Sequence, residues 1–130
     1  MATNILTGRD IALTYATVNY DDQIIGATVT FDDPVAVVET LNGKAFYTVD
    51  KETGSIAMEI LQDWGKTPSL CDTLWSAADT TPTTTATVTA TINAKVMTLT
   101  VLPKRPDFGG TAPDALTTTV TMPITGISYA

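Results

Sequence analysis

The stretch "TTPTTTATVTATINAKVMTLTV", Thr80 to Val101, restricts the possible folds more than any other part of the chain. Thr85, Thr87, Thr89 and Thr91 fall on one side of an extended backbone, and Ala86, Val88, Ala90 and Ile92 on the other. Successive side chains of a strand point to opposite faces of its sheet, so this segment has one face in a core and one outside it. Threonine suits the outer face in two respects: β-branching holds the strand extended, and the hydroxyl keeps the surface wet without charge. The residues Asn93-Ala94-Lys95 are few enough for a tight hairpin into a second strand, "KVMTLTVLP".

Composition extends the same inference. Threonine supplies about a fifth of the 130 residues, several times ordinary usage, which favours sheet. The length suits one domain, residues 1–130. The net charge is −7, and the basic residues are spread from Arg9 to Arg105 without a cluster, which argues against a grip on nucleic acid phosphates. There is no 18-residue apolar run, so no membrane insertion is expected. "MATNILTGRD" has neither the basic start nor the apolar stretch of a secretory leader, which points to folding in a cytoplasm. Cys71 is the single cysteine; it fits a reducing compartment and is expected to pack as a small buried hydrophobe.

Further elements follow from periodicity. "GRDIALTY" (Gly8 to Tyr15) and "IIGATVTF" (Ile24 to Phe31) read as strands, the latter with Ile25, Ala27, Val29 and Phe31 opposite Gly26, Thr28 and Thr30. "SIAMEILQDW" sets Ile56, Met58 and Ile60 against Ser55, Ala57, Glu59 and Leu61. Between these lies a long loop, residues 32–54, in which Asp32-Asp33-Pro34, Asn42-Gly43 and Thr53-Gly54 punctuate the apolar patches "VAVV" and "AFYTV". It has room for a hairpin or a short helix, and a structured excursion of this length usually contacts something. Leu70, Cys71, Leu74, Trp75 and Ala78 then recur at helical spacing, with Thr67 placed to cap and Pro68 at the first position, which predicts a helix over about residues 68–79. Pro82 bars its continuation, and Pro123 is expected to divide "LTTTVTMP" from "ITGISY".

The residues offer little chemistry. Histidine is absent, the cysteine has no base to activate it, and no phosphate-binding loop is present, so no catalytic residue, cofactor or metal is expected and the chain does not read as an enzyme. The acidic pairs Asp21-Asp22 and Asp32-Asp33 lack the spaced ligands of a calcium loop and read as turn residues. Lys104 and Arg105 read as part of an exposed loop, and Trp64 and Trp75 as core and interface anchors.

The order of strands, long loop, "TGSIAMEILQDWGKTPSLCDTLW", helix and threonine-rich strands resembles the tail tube (major tail) protein of long-tailed bacteriophages. The resemblance implies a mainly β fold, a two-sheet β-sandwich or barrel with one flanking helix. It also implies hexameric rings stacked into a tube, with DNA passing through the lumen without specific binding, and a long loop reaching the neighbouring ring. Its partners would be further copies, the tape measure and other tail proteins; its place would be the virion tail, assembled in the host cytoplasm. On this reading Thr28, Thr30, Glu59, Thr87, Thr89 and Thr91 line the lumen, where water-like groups or negative charge let a polyanion slide. Asp32, Asp33, Val35, Val37, Val38, Leu41, Phe46 and Tyr47 form the inter-subunit loop. Two alternatives stand beside it: a threonine-rich immunoglobulin-like module of a bacterial surface protein, and another small virion protein such as a decoration or tail-terminator subunit.

Overall fold

A computed structural model of the chain describes residues 8–49 and 51–130. Met1 to Thr7, on which the expectation about a secretory leader rests, and Asp50, within the 32–54 excursion, lie outside the described residues. After a 3-10 turn at Gly8–Asp10 come β1 (Ile11–Tyr15), β2 (Val18–Asn19), β3 (Ile24–Phe31), β4 (Val35–Thr40), β5 (Gly43–Thr48) and β6 (Gly54–Leu61). The helix α1 (Leu70–Thr80) precedes β7 (Ala86–Ile92), β8 (Lys95–Val101) and β9 (Thr117–Tyr129).

Seven strands form one antiparallel sheet in the order β2-β1-β7-β8-β9-β6-β3, and among the described residues β4 pairs only with β5. The fold is mainly β with one helix, as the sequence indicates. The large sheet curls into a half-barrel and the hairpin supplies the second sheet. The long loop is therefore largely strand: of the two possibilities open for residues 32–54, the hairpin is the one realised, turning at Leu41-Asn42.

Alternation decides what fills the curl. Ile56, Met58 and Ile60 of β6, Val88 of β7, Leu99 and Val101 of β8 and Val120, Met122 and Ile124 of β9 turn inward and are buried. The helix adds Leu70, Cys71 and Leu74 from one face, and each such side chain contributes about 1.5–3 kcal/mol by leaving water. Burial also pushes the Cys71 thiol up to about 11, so at neutral pH it is a packing group rather than a nucleophile.

Three expectations need correction. The helix starts at Leu70, not at Pro68, and Ser69 rather than Thr67 is its cap: the Ser69 hydroxyl accepts the Asp72 N–H at 3.1 Å. Asp63 supplies what Thr67 was expected to give, its carboxylate accepting the N–H groups of Leu70 (3.1 Å) and Cys71 (3.2 Å) and the Ser69 hydroxyl (2.9 Å). Pro123 does not divide two strands but lies inside the thirteen residues of β9. Its carbonyl accepts from Leu102, one residue past the end of β8, so the missing N–H falls at the end of the β8–β9 ladder rather than in its interior. Ile25 does not join the inward face of β3; the register against β6 shifts between Ile24 and Gly26 and leaves it 54% exposed.

Gly54, where the chain returns from the hairpin into β6, has a specific steric role. A β-carbon there would collide with the Thr30 backbone carbonyl on the paired strand, a contact that cannot relax without moving β3. Gly54→Ala should therefore lower the unfolding free energy by roughly 2 kcal/mol or more, measurable by chemical denaturation.

Candidate assembly surfaces

The inward face fixes the outward one by the strand period. Thr87, Thr89 and Thr91 lie opposite Val88 and Ala90, and the register places Thr89 between Thr14 of β1 and Thr98 of β8, with Thr87 beside Thr100. On the other side of the sheet Glu59 pairs with Thr119, and Ala57 lies between Thr121 and Thr28, with Ser55 beside Thr30. All six residues proposed for the lumen thus share one face of the sheet. They form two groups, Thr87, Thr89 and Thr91 on β7 and Thr28, Thr30 and Glu59 on β3 and β6, separated by β8 and β9. Among the described strand residues, this face carries Glu59 as its charge and no lysine or arginine. It is a hydroxyl carpet, polar enough to stay wet and too weakly charged to hold a polyanion.

The β4–β5 hairpin is a second surface. Val35, Val37 and Phe46 fall on one of its faces and Ala36, Val38, Ala45 and Tyr47 on the other, because cross-strand partners share a face. Both faces are open: Phe46 is 69% exposed, Val35 62% and Tyr47 54%, and Leu41 stands fully in solvent at the tip. Of the remaining residues expected in the inter-subunit loop, Asp32 and Asp33 form the base. The Asp32 N–H bonds the Thr53 carbonyl at 3.1 Å, and Asp33 has a φ of 42°, a left-handed conformation that aspartate tolerates better than most residues. The structure therefore gathers all eight residues on one hairpin and its base. A two-stranded ribbon with apolar side chains on both faces is marginal in water without something to cover it.

The segment from Leu102 to Leu116 runs beside the helix. The Arg105 guanidinium lies over the Trp75 ring, 5.1 Å from its centroid, and bonds Asp79 at 2.7 Å. Phe108 packs on Trp64 with centroids 5.1 Å apart, and the Gln62 amide donates to the carbonyls of Gly109 (2.6 Å) and Thr117 (2.9 Å). The loop carrying Lys104 and Arg105 is exposed as expected, and Trp64 packs against the core as expected, while Trp75 is 42% exposed beneath Arg105. Asp21 is a turn residue with an added task, its carboxylate accepting the Leu13 N–H at 2.9 Å.

One surface has no signal in the sequence. β1 and β3 are not paired with each other, and Ile11 and Leu13 of one and Ala27, Val29 and Phe31 of the other line an apolar cavity of about 260 Å³. Strand order is a non-local property, so nothing in the local pattern of either segment reveals that they face each other.

Neither a protein-family model nor a curated protein matches the sequence. Solved structures do. The sheath/tube terminator of an extracellular contractile injection system, PVC, in its extended state, is similar with a TM-score of 0.74 at 10% identity, over 100% of this chain and 99% of that one. The cap that terminates the tube of the anti-feeding prophage is similar with a TM-score of 0.72 at 9% identity, over 100% of this chain and 93% of that one. The chain has the fold of subunits that terminate the tubes of tail-like particles.

Proposed function

We propose that this chain is a structural, non-catalytic subunit of a phage tail or tail-like injection particle, and that it closes the end of the tube as a ring of identical copies. The observation that carries this reading is the end-to-end match to a tube terminator and a tube cap, each covered over nearly its whole length. The exposed hairpin supports it independently, since apolar side chains on both faces call for a partner. Its partners are further copies and the tube end, and its place is the particle's tail. Six copies per ring is what the tube resemblance implies.

A tube-forming subunit is the second reading, favoured by the hydroxyl face, whose single strand charge is the negative Glu59 and which suits the wall of a long conduit. The two differ in what the purified protein builds. Electron microscopy of the concentrated protein should show single rings that do not elongate; open-ended tubes would support the second reading, and a compact monomer at every concentration, with or without tube protein, would overturn both. Deleting Val35 to Gly43 should leave a folded domain that no longer assembles, by size-exclusion chromatography with light scattering. Normal rings from the shortened protein would remove the hairpin from the contact.

A further inference from the structure

We infer that strand β4 of one copy adds, antiparallel, to the free edge of β3 in the next copy, seating Val35, Val37 and Phe46 over the apolar cavity between β3 and β1. This rests on the ring reading above and names the two surfaces that meet.

The backbone shows which groups are free. The Asp32 N–H bonds Thr53 across the β3–β6 pair, so by the two-residue period Thr30 and Thr28 also point their backbone groups at β6, and Phe31, Val29 and Ala27 point theirs outward. In the hairpin the Val49 N–H bonds the Pro34 carbonyl, so Ala36, Val38 and Thr40 point at β5, and Val35, Val37 and Glu39 point outward. Outward-pointing residues pair directly opposite one another when two edges join, and paired residues share a face. Joining β4 to β3 thus puts Val35 and Val37 on the same face as Ala27, Val29 and Phe31, which is the face lining the cavity, and Phe46 follows because it is the cross-strand partner of Val37. A single parity satisfies the backbone and buries the apolar side chains together.

The two edges of the large sheet are not equivalent. At the β1 edge β2 is two residues long and the Asp21 carboxylate already occupies the Leu13 N–H, so that edge is short and blunted. From Ala27 to Phe31 the β3 edge carries no proline, no lysine and no charge, and an unguarded edge of this kind is a template for another strand. The occupant is a second copy because this chain itself supplies a strand with a matching free edge and uncovered valines. Donor and acceptor surfaces lie at different places on the chain, so the contact is head-to-tail and can close a ring.

Val29→Pro tests it. The substitution removes one outward N–H that no bond among the described residues uses, so thermal unfolding should show a folded domain, while half-assembly should need at least about tenfold more protein. As a check that does not depend on proline, full-length Val29→Cys and Val37→Cys proteins are mixed and gently oxidised; a disulfide between the two variants, in excess over either homodimer, is expected. Assembly unchanged by Val29→Pro, or oxidation only to homodimers, would overturn the edge site while leaving the ring reading intact if deletion of Val35 to Gly43 still abolishes rings. An unsubstituted protein that never assembles would overturn both.

Discussion

Asp63→Ala should lower the unfolding free energy by about 2–3 kcal/mol, a large share of the stability of a domain this size. One carboxylate accepts the Leu70 and Cys71 N–H groups and the Ser69 hydroxyl, all at the first turn of α1. Removing it leaves donors beside a buried helix end without their charged acceptor, and it also removes a negative group from the positive end of the helix dipole. Gln23, whose side-chain oxygen also accepts from Leu70, recovers part of the loss. Asp63→Asn keeps an acceptor and should lose roughly half as much. Urea denaturation checks both; a loss below about 0.5 kcal/mol for the alanine variant would show that the helix start is held by packing of Leu70 and Leu74 instead.

Thr87→Lys combined with Thr89→Lys should change transport without changing the fold. Both side chains point away from the buried row of Val88, and Thr87 is exposed, so unfolding should shift by no more than about 1 kcal/mol. Each copy would place two cations on a face whose described strand residues include none, and a ring multiplies them. If that face lines the channel, an assembled particle should release a polyanionic cargo more slowly than the unsubstituted one, with the delay relieved as salt is raised. Equal release at low salt would place the hydroxyl face on the outside of the particle.

The two halves of the molecule differ in how far they could be read in advance. Ile56, Met58 and Ile60, and Val88 against Thr87 and Thr89, were legible because a strand with one buried face writes its orientation into every second residue. The helix was legible from Leu70, Cys71 and Leu74, but its start was not. Thr67-Pro68 is a plausible local signal, and the residue that wins, Asp63, reaches the helix end from the preceding loop. Pro123 misled for a similar reason, since its tolerance depends on where β8 ends, and its backbone faces Leu102, just past that end. Val35, Val37 and Phe46 were visible as surplus apolar residues. The edge they are proposed to meet was not, because only strand order reveals that β3 ends the sheet. The threonines on β3 and β7, expected on neighbouring strands, share a face of the sheet but stand four strand steps apart around the curl, a separation that again only strand order reveals.

The position of β9 bears on when the molecule can come into being. It is the last of the described strands in sequence, yet it lies inside the sheet, with β8 on one side and β6 on the other. Without it, β2-β1-β7-β8 and β6-β3 are two fragments that no strand pairing among the described residues joins, and neither can close over the core. A chain in which β9 has not yet docked therefore exposes its hairpin and the open edges of both fragments, the condition in which contact between neighbouring chains is most hazardous. Closure of the core therefore hinges on the thirteen residues of β9, the one strand that pairs with both fragments and makes them a single sheet.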